Sequence, residues 1–240
     1  TKTSEATIKE SKSSNESLNK TNESNLESKN MIGESEAKGA NEFVLQAKDK
    51  DGNLSKNEIE KVLSSMGIER DDSILNKTFG ENSIKAMLSV FKDKDVEVMG
   101  LKVNGADVAM FIKDGKILGA GMINGAGQKQ LMTYDKVKYD ENGKVSVMKG
   151  RIFREINGKL VKVGSFELAK KGSKEYNKSM ARAEKLMTGE ALEKVKQAES
   201  VYTERDNQGN LMRVVYMDKD GNVLASENRG LDGKMRLMTY

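Results

Sequence analysis

Between residues 104 and 158 this chain is punctuated by five Asn-Gly or Asp-Gly pairs. They are Asn104-Gly105, Asp114-Gly115, Asn124-Gly125, Asn142-Gly143 and Asn157-Gly158. These dipeptides accept the positive φ angles of tight hairpin turns at little steric cost, and between apolar runs they are the strongest short-range hairpin signal. The runs between them include VAMFI (108–112), KVSVMKGRIF (144–153) and KLVKVGSFEL (159–168). Proline is absent, so Gly, Asn and Asp must make the turns. The pattern predicts an antiparallel meander. A helical stretch interrupts it: Ser173 to Met187 places Tyr176, Met180, Ala183 and Met187 on one face, the spacing of an amphipathic helix. Thr188-Gly189 predicts a break, after which Leu192, Val195 and Ala198 continue the helical pattern to about Ser200. Strand patterning returns in LMRVVYM (211–217) and MRLMTY (235–240).

The N-terminal part reads differently. Residues 1–38 are dominated by Ser, Asn, Lys, Glu and Thr with isolated apolar residues. Such a segment has too little apolar surface to offset its ordering entropy and is expected to be a disordered tail or tether. Residues 39–94 carry helical stripes: Ile59, Val62, Leu63 and Met66, then Ile84, Met87, Leu88 and Phe91. Gly67 is the expected end of the first helix, and Asn82 or Ser83 the expected cap of the second. The expected class is α+β, with a disordered polar tail (1–38), a small helical subdomain (39–94) and an antiparallel β domain (95–240) carrying a helical insertion at about 173–200.

Between two helical patterns lies the acidic segment DKDGNLSKNE (49–58). About residues 43–67 resemble an EF-hand helix-loop-helix. Asp49, Asp51 and Asn53 match the family's first ligand positions, Ser55 a later one, and Glu58 the closing carboxylate. The resemblance implies a Ca²⁺ site, because a hard cation takes several oxygen ligands from such an alternating loop. This loop is two residues shorter than the family's, without the Gly of its sharp turn, so fewer ligands and weak binding are implied. Ser55 and Glu58 also satisfy the S-x-x-E capping box, which needs no ion.

The chain repeats itself. KDGKILGAGMINGAGQKQLMTY (113–134) aligns without gaps on KDGNVLASENRGLDGKMRLMTY (219–240), each copy reading as strand, turn and strand. The rhythm of Tyr139-Asp140-Glu141-Asn142-Gly143-Lys144 is similar to bacterial MORN-type and YD-type β-repeats. That likeness implies a surface or interaction module without chemistry of its own.

Composition narrows the function. Histidine, cysteine and tryptophan are all absent. A Ser-His-Asp or Cys-His catalytic arrangement cannot be built from this chain, and the commonest transition-metal ligands are missing. Carboxylates could still act with a metal, but Asp93, Asp95, Asp107 and Asp135 are dispersed in the sequence. No run of about 18 apolar residues exists, so no membrane-spanning helix is expected. Residues 143–185 are rich in Lys and Arg and suit an acidic protein or an anionic envelope component as partner. Aromatic residues there are few, which disfavours single-stranded nucleic acid. The expectation is a non-catalytic module, secreted or held at the cell surface, lipid-anchored upstream of Thr1. It binds a macromolecule or envelope component, with weak calcium binding in addition. The alternatives are a carboxylate-metal hydrolase or a calcium-binding regulatory protein.

Overall fold

A computed structural model describes residues 4–7, 56–65 and 67–240. It is mostly antiparallel β-sheet with a few helices. The chain divides into two compact units, one of Val44–Gly164 and one of Thr1–Phe43 with Ser165–Tyr240.

The first unit opens with α1 (Lys56–Ser65), which buries Ile59 and Leu63. Gly67 ends it at φ 72°, with the Gly67 amide on the Ser64 carbonyl (3.1 Å) and the Ile68 amide on the Leu63 carbonyl (2.9 Å). This pair of bonds is the Schellman arrangement that satisfies the last helical carbonyls. The two-residue strand β2 (Glu69–Arg70), a π-helical turn (Leu75–Phe79) and α2 (Glu81–Val90) follow. Gly80 caps α2, so Asn82 and Ser83 lie inside the helix. The side chain of Ser83 is engaged elsewhere: its hydroxyl donates to Glu155 (2.7 Å) and accepts from the Lys129 ammonium (3.1 Å).

The strands of this unit are β3 (Glu97–Val103), β4 (Ala106–Lys113), β5 (Lys116–Ile123), β6 (Lys129–Thr133), β7 (Lys136–Tyr139) and β8 (Val145–Ile156). They are ordered β2-β3-β4-β5-β6-β8, with β7 also paired to β8. Asn104-Gly105, Asp114-Gly115 and Asn157-Gly158 all have positive φ at both residues, as two-residue hairpin turns require. At 124–125 and 142–143 the turns are longer than a two-residue reading implies. Each spans five residues, Asn124 to Gln128 and Asp140 to Lys144. The left-handed position belongs to Gly127 and Gly143, and the first side chain accepts the amides two and four residues on. In β4 the whole run from Val108 to Ile112 is buried, the mark of a strand covered on both faces. On one face Ala109, Phe111 and Leu131 meet Ile74, Phe79, Ile84 and Met87. The helices come so close because β3 and β5 carry glycines. A Cβ at Gly100 would lie 2.3 Å from the Asp71 carbonyl oxygen, and one at Gly121 2.8 Å from the Met87 sulfur.

The second unit follows the same scheme. Strand β9 (Lys159–Lys170) leads to α3 (Lys174–Leu186) and α4 (Gly189–Val195), then to β10 (Ser200–Asp206), β11 (Leu211–Met217), β12 (Val223–Arg229) and β13 (Met235–Thr239). The order is β9-β10-β11-β12-β13, with β1 (Ser4–Thr7) antiparallel on β13. Ser173 caps α3 through its hydroxyl, which accepts the Tyr176 amide at 3.1 Å. Gly189, at φ 64°, turns the chain into α4. Tyr176, Ala183, Leu186, Met187 and Val195 pack on Val201, Val214, Tyr216, Ala225 and Leu237.

The two repeated segments fold alike. Gly119, Ala120 and Gly121 pair with Thr133, Met132 and Leu131. At the aligned positions Ala225, Ser226 and Glu227 pair with Thr239, Met238 and Leu237. Both turns close with the same bonds, Gly127 amide to Asn124 carbonyl (2.9 Å) and Gly233 amide to Gly230 carbonyl (3.0 Å).

Candidate binding site

In the first unit the chain leaves α2 at Phe91, whose extended backbone (φ −82°, ψ 124°) turns Lys92 and Asp93 out toward solvent. The Phe91 ring lies against Phe111 with centroids 5.3 Å apart. Gly119 makes room for it, since a Cβ there would lie 3.0 Å from the ring edge and 2.6 Å from the Met132 carbonyl oxygen. Beside this ring the start of β5, the end of β6 and the middle of β8 line a half-open cavity of about 430 Å³.

Its apolar side is formed by Val90, Phe91 and Leu118, and its charged side by Lys92, Asp93, Lys116, Asp135 and Arg151, with the buried Tyr134 between them. Tyr134 is held by its backbone, the amide donating to the Leu118 carbonyl at 2.8 Å. Burial pushes its phenol pKa up, so the hydroxyl stays neutral. Arg151 is fixed by a compact network. Its Nε donates to Asp135 Oδ2 (2.8 Å) and its Nη2 to Asp135 Oδ1 (3.0 Å). Its amide donates to the Thr133 hydroxyl at 3.0 Å, and that hydroxyl donates to Asp135 at 3.0 Å. The guanidinium also sits 5.4 Å from the Phe153 ring centre, within cation–π range. The bond to Asp135 holds the guanidinium pKa above its ordinary value, so Arg151 keeps its charge. Asp93 faces Lys113 at 3.7 Å. Lys92 and Lys116 are exposed, and neither forms an ion pair among the described residues.

The calcium-loop residues Asp49, Asp51, Asn53 and Ser55 lie outside the described residues, as does the side chain of Glu58, which sits in α1. The second DKDGN, at 218–222, is a hairpin turn. Asp218 accepts the amides of Asp220 and Asn222, both at 2.9 Å, so this pentapeptide is satisfied without an ion. No group of three or more Asp or Glu side chains among the described residues could hold a metal.

The basic stretch 143–185 divides between the two units at Gly164. Three of its arginines are bound internally: Arg151 to Asp135, Arg154 to Gln130 (2.8 Å) and Arg182 to Glu227 (2.8 Å to each oxygen). Of the four dispersed carboxylates, the structure brings Asp93 and Asp135 to one cavity. Asp107 instead accepts from the Thr78 hydroxyl. Phe91, Lys92, Lys116, Leu118 and Tyr134 were not indicated as site residues by the sequence. The available signal was the Leu-Met-Thr-Tyr ending of the first repeat, which puts Tyr134 at a strand end.

The chain matches no family model, no curated protein and no solved structure. No helix among the described residues is long and apolar enough to cross a membrane.

Proposed function

We propose that this protein is a non-catalytic binding module that takes an anionic partner, an acidic protein or an envelope component, at the cavity beside Tyr134. The observation that carries this reading is the lining itself. An apolar floor of Phe91 and Leu118 stands next to two lysines with no ion pair among the described residues. Uncompensated cations at a cleft raise the local concentration of anions, and an apolar floor adds contact area to the charge. The absence of histidine and cysteine supports contact rather than chemistry as the output. In the same reading the protein is α+β and secreted or surface-held; Ser4–Thr7, within the expected tether 1–38, instead pair with β13 as β1. The acidic loop 49–58 adds a weak Ca²⁺ site, which calorimetry at millimolar Ca²⁺ tests: heat and a raised melting temperature are expected, and neither would appear if the loop is only a helix cap.

The hydrolase alternative has one observation on its side, the shared placement of Asp93 and Asp135. Each already faces a cation, Lys113 and Arg151, which favours the binding reading.

The test is isothermal calorimetry against poly-L-glutamate and phosphatidylglycerol vesicles. Binding to at least one, weakened about tenfold in Lys92→Glu/Lys116→Glu, is expected for two lost charge contacts. The melting temperature should not change. Equal binding by the double variant would refute the site.

A further inference from the structure

The geometry points to a single residue as the occupant of the cavity beside Tyr134: an apolar side chain joined to a carboxylate, as at the C-terminus of a partner chain. This rests on the binding reading above and adds the chemical class of the ligand.

Size is the first argument. A volume of about 430 Å³ lies in the lower part of the range of roughly 300–1,000 Å³ typical of small-ligand sites. That volume suits a small ligand or the end of a chain, not a helix or a strand. The wall chemistry is the second. Phe91 and Leu118 offer an apolar surface that a bare anion cannot use, whereas an aliphatic or aromatic side chain buries itself there.

The charges choose among anions. Arg151 is the one lining cation with the planar fork that grips phosphate in a bidentate fashion, and Asp135 already occupies its Nε and Nη2. The remaining cations, Lys92 and Lys116, are point charges suited to a single carboxylate. With Asp93 and Asp135 counted, the lining carries three cations against two carboxylates, so a single negative charge on the ligand balances it. A monoanion is favoured over a phosphate monoester, which carries about −1.5 to −2 near neutrality. The buried, neutral Tyr134 adds no charge to the balance. Rigidity is the third argument. Thr133, Asp135 and Arg151 are cross-bonded, so the polar wall is formed before the ligand arrives.

The experiment uses the full chain and three probes: N-acetyl-leucine, N-acetyl-leucinamide and inorganic phosphate. Each is titrated while the NMR resonances of Phe91, Leu118 and Tyr134 are followed. N-acetyl-leucine should shift all three. The amide, lacking the charge, should bind about tenfold more weakly, and Lys116→Gln should weaken the acid by a similar factor with the spectrum otherwise intact. Equal binding of acid and amide would overturn the carboxylate, and phosphate shifting the same resonances more tightly would overturn the monoanion. If poly-L-glutamate binds at these residues but N-acetyl-leucine shifts none of them, this inference fails and the binding reading stands. If neither binds, both fail.

Discussion

The hairpins β5–β6 and β12–β13 share their turn bonds and their register, yet they meet their helices in opposite ways. Beneath α2 the first hairpin places Gly121, and the Met87 side chain of the helix fills the space a Cβ would take. Beneath α3 the second places Glu227, fully buried, with Arg182 on both its oxygens and the Tyr216 hydroxyl donating to it. One joint is a close apolar contact and the other a buried carboxylate paired with a partly exposed arginine. The contrast teaches that the repeat encodes a scaffold, while the inward-facing residue at one aligned position decides how each helix is held. It also bears on the site. Gly119 leaves room for the Phe91 ring at the cavity floor, whereas the aligned Ala225 is buried in a packed cluster with Tyr216.

Five substitutions would break or sharpen this contrast. The largest effect is expected at the ion pair. Arg182→Ala leaves the fully buried Glu227 carboxylate without its cation, and breaking a buried pair from one side costs about 3–5 kcal/mol. Urea unfolding should show that loss, and replacing Glu227 and Arg182 together by leucine should recover part of it. Gly100→Ala comes next. Its Cβ would meet the Asp71 backbone oxygen, which cannot swing aside, so roughly 2–3 kcal/mol is expected. Gly121→Ala should cost less, about 1 kcal/mol, because the opposing Met87 thioether is flexible. An equal cost at both glycines would mean that the close approach of α2 is not what the small residue serves.

Ser173→Ala removes the hydroxyl that caps α3 and should lower stability by about 1 kcal/mol, affecting the second unit alone. The smallest effect concerns the turns. Asp232 is held down to about 2 by its bonds with Arg236, while the aligned residue of the first hairpin is Ala126. A carboxyl depressed from its ordinary 3.8 stabilises the fold above that value, and the benefit is lost as pH falls through about 2. Asp232→Asn should therefore be less stable than the parent at neutral pH by about a few tenths of a kcal/mol, as for a half-exposed pair. The two should converge by about pH 2. A difference that persists there would assign the effect to the turn backbone instead.

Much of this was legible from residues alone. The turn dipeptides at 104–105, 114–115 and 157–158, the start of a helical stretch at Ser173 and the Gly67 terminus are local signals, and local physics decided them. The five-residue turns at Asn124 and Asp140 read as two-residue ones because an Asn-Gly pair also occurs inside a longer loop closed by an Asx side chain, Asn124 of the pair itself in one turn and the upstream Asp140 in the other. Nothing in the composition marks Gly164, because β9 runs unbroken through the division between the units. The cavity was invisible for a different reason: Leu118 and Arg151 come together through strand pairing and Phe91 through the packing of α2 on the sheet, and no periodicity reports either. Likewise, the basic character of 143–185 overstated its free charge, since its arginines are bound to Asp135, Gln130 and Glu227.

The most direct test of the account is to map, residue by residue, the NMR shifts caused by poly-L-glutamate on the whole chain. The account expects them to centre on 90–93, Lys116, Leu118, Tyr134 and Arg151 and to fade with added salt. Shifts centred on 159–185, or none at low salt, would contradict it.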